Sequence, residues 1–309
     1  MGMSSVIFEI LPHNLQQAFQ EIPMQRVYEL RLRVNAPIMV ALAGRSFFLA
    51  ERGLSHDSAE AITVSKSDIE SILHKASEYS VYAVNEQIKQ GYLTIRGGVR
   101  IGLSGDVVTE NGIVSTIKNV QALNIRVPHQ IRGCSYQILP YIFGANAPYK
   151  TLLISPPGCG KTTMLRDLSW QICDKYHARN VLVLDERGEI AANWQGENQL
   201  DVGMFADVIS GCNKSYGFEN GVRSMNPSVI ITDELITKQD LEMVRTACRS
   251  GVCVFASVHA SGIEELRNKP GFREIIQDQV FDRYVVLMTK DTAGIVAGVY
   301  DRNLKVLSL

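Results

Sequence analysis

Residues 151–166 constrain the fold more than any other stretch of this 309-residue chain. An apolar run, Leu152 to Ile154, predicts a buried strand, and a loop rich in glycine and proline separates it from a helical pattern that starts near Gly160. The loop matches the phosphate-binding pattern G-x-x-x-x-G-K-[ST], except that Ser155 stands at the first glycine. A strand, such a loop and a helix in this order predict a site for a nucleoside triphosphate.

The loop residues have separate expected roles in holding a nucleotide. Glycines lack a Cβ, so backbone N–H groups can approach phosphate oxygens closely. Lys161 is expected to reach the β- and γ-phosphates, and the Thr162 hydroxyl is expected to bind Mg²⁺. The predicted nucleotide-binding residues are Ser155, Pro156, Pro157, Gly158, Cys159, Gly160, Lys161, Thr162 and Thr163.

The composition is that of an ordinary globular protein. Apolar residues make up 46% and charged residues 20%, and the net charge of −1 gives no general attraction to nucleic acid or to an anionic membrane. Six cysteines occur without C-x-x-C pairs, which favours reduced thiols in a cytosolic protein. We expect neither export nor a membrane span, because the sequence has no signal-peptide pattern and no run of 18 apolar residues.

Two regions differ in the order of their predicted elements. In the first, short alternating strands are joined by turns, and a few helical patterns lie between them. In the second, buried strands alternate with helices, which indicates a mostly parallel α/β sheet. We therefore predict a smaller α+β domain at 1–135 and a larger α/β domain at 136–309. The boundary is expected near Gly133 to Ala147, with Gly144 to Pro148 as the linker.

Local signals in the first region predict individual turns and a helix start. Ser67 and Glu70 match a capping box, so we expect a helix to begin there. Hairpin turns are predicted at Gly97-Gly98 and near Asn111-Gly112.

Three apolar strands of the second region end in polar side chains. One ends in Asp185-Glu186, a second in Asp233-Glu234 and a third in Ser-x-His259. The carboxyl ends of parallel strands form the edge at which α/β sheets bind ligands, so we expect one shared site. Asp233 is expected to hold Mg²⁺ and Glu234 to polarise the attacking water, while Asp185, Glu186 and His259 surround the γ-phosphate.

Three arginines of the first region are further catalytic candidates, because nucleotide hydrolysis between subunits needs a cation on the transferring phosphate. They are Arg96, Arg100 and Arg126. For any one of them, a solvent-facing position on a half-buried strand is the simpler interpretation. We expect at least one of the three to reach a nucleotide, and the sequence does not indicate which.

The order of these motifs resembles the secretion ATPase superfamily of type II and type IV secretion and pilus systems. Four segments carry the resemblance: Ser155 to Thr162, Asp185 to Glu189, Pro227 to Glu234, and Ser257 to Ala260. Within that superfamily the whole chain resembles the sporulation stage III AA family. Three N-terminal segments carry this second resemblance: 29–33, 92–106 and 123–127.

The resemblance implies an ATPase with a RecA-like P-loop core that uses ATP and Mg²⁺. It implies a homo-oligomer, a hexamer, that docks on membrane proteins of a sporulation-specific channel between mother cell and forespore. Its expected location is cytoplasmic, peripheral at the inner face of the membrane on the mother-cell side. Asp233 stands where the superfamily has a glycine, and Asp185-Glu186-Arg187 replaces its Glu-Asp-Pro, so the roles of individual carboxylates stay open.

Three alternatives to a motor ATPase remain. A nucleotide-gated scaffold with little turnover is compatible with the rearranged acidic segments. A nucleic-acid-handling NTPase would share the core, but the chain lacks Lys/Arg-rich stretches and interleaved aromatic and basic residues, so no nucleic-acid partner is expected. A small-molecule kinase would need an arginine-rich lid, and none is recognisable.

Overall fold

The computed structural model describes residues 3–20, 22–42, 45–78, 84–145, 147–175, 180–288 and 294–307. The chain divides into two compact units, Met1–His129 and Gln130–Leu309. This boundary precedes the predicted one after residue 135. The backbone N–H groups of Gly133 and Ser135 each donate to the Asp167 carboxylate at 2.9 Å, and these bonds tie the stretch to the second unit.

The first unit is built on an antiparallel sheet with strand order β4-β3-β2-β1-β7-β6-β5. Its strands are β1 Val27–Arg33, β2 Met39–Leu42, β3 Arg45–Ala50, β4 Gly53–Ser55, β5 Tyr92–Ile95, β6 Val99–Glu110 and β7 Ile113–Arg126. Its helices are α1 Met3–Ile10, α2 His13–Phe19, α3 Lys66–Ala76 and α4 Asn85–Lys89. Alternation along β1 buries Leu30 and Leu32 in one core with the apolar sides of the helices, as the predicted α+β class requires.

Two local features of this unit differ from the prediction. The capping box of α3 uses Ser65 and Asp68 instead of Ser67 and Glu70: the Ser65 hydroxyl accepts from the N–H of Asp68, and the Asp68 carboxylate accepts from the N–H of Ser65. The second predicted hairpin is longer than expected, because β6 and β7 pair from Arg100 and Arg126 outward to the turn at 111–112. A 3-10 turn at Arg96–Gly98 joins β5 to β6, near the predicted position.

The second unit has the predicted α/β architecture. Its sheet has the order β12-β9-β13-β14-β8-β15-β16, and only the β15–β16 pair is antiparallel. The strands are β8 Thr151–Ser155, β9 Val181–Asp185, β12 Ala206–Ser210, β13 Val229–Glu234, β14 Cys253–His259, β15 Arg283–Met288 and β16 Ile295–Asp301, with a separate small hairpin of β10 Asn193–Trp194 and β11 Glu197–Asn198.

Helices cover this sheet, and apolar clusters lie on both of its faces. The helices are α5 Leu139–Ile142, α6 Lys161–Lys175, α7 Lys214–Met225, α8 Lys238–Arg249, α9 Ile263–Asn268 and α10 Phe272–Gln277. Helix α7 approaches β9 closely because Gly221 has no side chain: a Cβ there would lie 2.4 Å from Leu182 Cδ2. None of the helices within the described ranges combines the length and the apolar character that crossing a membrane requires.

Candidate nucleotide-binding site

The register of three parallel strands brings the predicted motifs to one edge of the sheet. Strand β14 lies between β8 and β13. His259 pairs directly with Ser155 across β14 and β8, and Glu234 pairs with Ser257 across β13 and β14. The phosphate loop, the second acidic segment and the histidine therefore meet at the carboxyl end of the sheet, where α/β proteins bind ligands.

The loop between β8 and α6 has the backbone of a phosphate cradle. Gly158 and Gly160 adopt φ values of 76° and 84°, a left-handed conformation that glycine adopts without strain. A Cβ at Gly158 would meet no atom within 4 Å, so the space beside the loop is open. Pro156, Pro157 and Gly158 are exposed, Gly160, Thr162 and Thr163 are half-buried, and Ser155, Cys159 and Lys161 are buried.

Lys161 begins α6 and is folded back against its own loop. Its Nζ donates to the carbonyl oxygens of Ser155 and Pro156, both at 2.9 Å, and to the Ser155 hydroxyl at 3.1 Å. The serine that replaces the first glycine of the motif therefore adds a side-chain partner for the lysine. Burial lowers the pKa of Lys161, and the nearby Glu234 carboxylate opposes that shift.

His259 links Lys161 to Glu234. Its Nδ1 lies 2.8 Å from Lys161 Nζ, and its Nε2 lies 3.1 Å from Glu234 Oε2. An ammonium can only donate, so Nδ1 is the acceptor and the ring proton is on Nε2, directed at the carboxylate. Arg187 approaches the same carboxylate at 3.7 Å. Three predicted site residues therefore form a row of contacts, in which His259 touches Lys161 on one side and Glu234 on the other.

Asp185 is held differently from the other predicted carboxylates. It is fully buried, and its two oxygens accept backbone N–H groups of Glu189, Ile190 and Ala191 at 2.8, 3.0 and 2.9 Å. The buried Arg166 of α6 donates to two carbonyls of the same turn. These contacts are those of a loop anchor, and the catalytic role of Asp185 stays a prediction.

Lys214 is the residue of this site that the sequence did not indicate. Its ammonium lies 2.5 Å from Glu186 Oε2 and 2.8 Å from Asp233 Oδ1, and its side chain is 3% exposed. Burial lowers its pKa, but Asp233 and Glu186 together outweigh that effect, so the pKa is raised. The one signal in the sequence is a lysine directly after a helix-capping asparagine, where the helix dipole disfavours a cation.

The arrangement fits Mg²⁺ at Asp233. Burial raises the pKa of this carboxyl to about 6, with Lys214 opposing the shift and Asp185 and Glu186 adding to it. Its Oδ2 is buried and has no hydrogen-bond partner within the described residues. The carboxylate oxygens of Asp233 and the hydroxyl of Thr162, the second residue of α6, are oxygen donors of the kind that Mg²⁺ prefers.

The three candidate arginines all lie in the first unit. Arg96 pairs with Glu9 at 2.9 Å, and Arg100 stacks on the ring of Tyr92 at 3.8 Å. Arg126 is exposed and lies opposite Arg100 in the sheet, and its side chain has neither an ion pair nor a hydrogen bond to any described residue. Their proximity to a nucleotide stays a prediction.

Solved structures of other proteins resemble this chain in fold at low sequence identity. The ATPase DotB of Yersinia pseudotuberculosis is similar to this chain with a TM-score of 0.59 at 14% identity, over 94% of this chain and 80% of DotB. The pilus retraction motor PilT with bound ADP has a TM-score of 0.55 at 13% identity, over 87% of this chain and 76% of PilT. The likeness confirms the predicted α/β class with a RecA-like core.

Sequence comparison covers almost the whole chain. The family model described as "Sporulation stage III, protein AA" matches residues 3–307. Stage III sporulation protein AA of Bacillus subtilis (strain 168) is 36% identical over 310 residues, which cover 98% of this chain and 96% of that protein. The chain therefore belongs to the sporulation stage III protein AA family.

Proposed function

We propose that this chain is an ATP-hydrolysing oligomeric motor. The contact of Lys161 with His259, and of His259 with Glu234, carries the proposal, because it joins the phosphate loop to the carboxylate that can align water. Phosphoryl transfer depends mainly on positioning and on electrostatic stabilisation, and these buried or half-buried groups can supply both. The RecA-like fold supports the same function.

Each residue has a role in the proposal. The backbone of 155–160 and the Lys161 ammonium bind the phosphates, and Lys161 leaves its carbonyl partners when they arrive. Glu234 accepts a proton from the attacking water, and His259 orients Glu234 through Nε2–H. Thr162 and Asp233 would hold Mg²⁺, which neutralises charge on the phosphates when bound.

The biological setting follows from family membership and is also proposed. The chain would form a hexamer, and its partners would be membrane proteins of a sporulation channel between mother cell and forespore. It would lie in the cytoplasm, peripheral at the inner face of the membrane on the mother-cell side.

Two substitutions test the chemistry. Glu234→Gln should lower turnover at least about 100-fold and leave ATP affinity within a few-fold of wild type, since it removes only the proton acceptor. Lys161→Ala should weaken both binding and turnover. Glu264→Gln, an exposed glutamate on α9, is the matched control and should change neither. Wild-type turnover by Glu234→Gln would exclude the assigned role of Glu234.

The assembly is tested by measuring turnover against protein concentration, with the mass determined by light scattering in the same samples. Turnover per subunit that rises with assembly supports a site completed by a neighbour. A monomer with constant turnover would exclude the oligomeric mechanism.

A nucleotide-gated scaffold is the second candidate. Glu234 contacts both His259 and Arg187, and the Lys161 ammonium contacts four polar atoms of the protein itself. Tight ATP binding without turnover in any assembly state would favour the scaffold.

A further inference from the structure

Lys214 occupies a position that an isolated lysine would avoid. It is the first residue of the 12-residue helix α7, where the helix dipole repels a positive charge, and its side chain is almost completely buried. Moving an ammonium out of water is costly unless anions compensate for it. The burial of the Lys214 ammonium must therefore be compensated by the charged groups that it contacts.

The partners of Lys214 are carboxylates at the ends of two neighbouring central strands. Glu186 follows β9, and Asp233 lies at the end of β13. One ammonium contacts both, at 2.5 and 2.8 Å. The adjacent Asp185 has its own partners, because three backbone N–H groups bind its oxygens. Lys214 is therefore the cation that compensates for the Glu186–Asp233 pair.

Removing that ammonium would change what the pair attracts. Two close carboxylates without a counter-charge form an environment that binds hard divalent cations. With Lys214 present, Asp233 Oδ1 is ion-paired with the ammonium, and neither Asp233 oxygen has a hydrogen-bond partner among the described residues.

We propose that Lys214 is a positioning residue that acts as the built-in counter-ion of Glu186 and Asp233. It fixes the two strand ends and lowers the affinity of this carboxylate pair for divalent cations. The link to turnover rests on the proposed ATPase function, whereas the counter-ion role concerns the nucleotide-free protein.

The test measures Mn²⁺ binding to the nucleotide-free full-length chain by electron paramagnetic resonance at about pH 8, where carboxylates are ordinarily ionised. Lys214→Met should bind Mn²⁺ at least about tenfold more tightly than wild type, because a unit charge a few ångströms away has been removed. Lys214→Arg should bind as weakly as wild type. In the double variant Lys214→Met/Glu186→Gln, the gain in affinity should be lost.

Lys238→Met is the matched control. Lys238 is also the first residue of a 12-residue helix, α8, and also follows a capping residue, but its side chain is exposed. It should leave Mn²⁺ affinity and turnover unchanged. Equal Mn²⁺ affinity of folded Lys214→Met and wild type would overturn the proposal.

The test also measures the folding and the ATP turnover of the Lys214 variants. Circular dichroism reports whether each variant folds. If Lys214→Met does not fold and Lys214→Arg does, the charge itself holds the strand ends and the counter-ion role is supported; if neither folds, the role is rejected. Among folded variants, Lys214→Met should lower kcat with little change in KM for ATP, and Lys214→Arg should restore part of kcat. A wild-type chain without turnover would contradict the proposed function and leave the Mn²⁺ comparison valid.

Discussion

At the scale of single residues, the Asp185 carboxylate at the end of β9 makes contacts that support the fold. Three backbone N–H groups converge on its two oxygens, and such charge-assisted bonds are stronger than neutral ones. Asp185→Asn replaces one acceptor oxygen by an NH₂ group that faces a donor. We expect it to lower the free energy of unfolding by about 2 to 4 kcal/mol, as measured by urea titration.

Asp207→Asn is the control, because this carboxylate is exposed on β12 and should change stability by less than about 0.5 kcal/mol. If Asp185→Asn instead keeps wild-type stability and loses turnover, Asp185 belongs to the catalytic group and the anchoring role is wrong.

At the scale of elements, the start of α7 couples helix capping to the site. The Asn213 side chain accepts from the N–H of Tyr216 at 2.9 Å and fixes the first turn, which carries Lys214. Asn213→Ala should cost about 1 kcal/mol of stability and should also lower turnover several-fold, since Lys214 would be held less firmly. Unfolding and ATP hydrolysis measured on the same preparation separate the two effects.

A second capped helix provides the comparison. Ser65 caps α3 in the first unit through the N–H of Asp68. Ser65→Ala should cost about as much stability, roughly 1 kcal/mol, without loss of turnover. If the two variants lower turnover equally, the effect comes from general destabilisation and the coupling through α7 is rejected.

The same elements explain how much the sequence could predict. Apolar runs that end in a glycine loop or in Asp233-Glu234 are strong local signals, so the strand–loop–helix unit and the buried strands that end in polar residues could be predicted. The capping box could not be placed uniquely, because Ser65/Asp68 and Ser67/Glu70 fit one pattern. Lys214 was missed because its partners lie at the ends of other strands, and only the sheet register brings these strand ends together.

Asp185 shows which property of a site residue the sequence could not predict. Like Asp233, it lies at a strand end and is followed by a glutamate, so the sequence alone indicates no difference between their hydrogen-bond partners. The turn at 186–191 decides the difference, since it directs three N–H groups at Asp185. Backbone direction within a short turn is poorly specified by residue type, so such distinctions need the structure.

At the scale of the whole molecule, the open question is whether the first unit completes the site of another copy. Arg96 and Arg100 already contact Glu9 and Tyr92, whereas Arg126 is exposed. We therefore expect Arg126→Ala to reduce turnover more than Arg96→Ala or Arg100→Ala, without loss of ATP binding, because its guanidinium would act on the transferring phosphate.

Mixing two inactive variants tests whether that arginine acts between subunits. Arg126→Ala keeps an intact phosphate site, and Glu234→Gln keeps an intact arginine. In mixed assemblies at equal amounts, about a quarter of the interfaces join an intact site to an intact arginine, so about a quarter of wild-type turnover should return. Exchange of subunits is checked by mass on tagged chains. Mixtures that exchange subunits but remain inactive would show that Arg126 does not act across an interface.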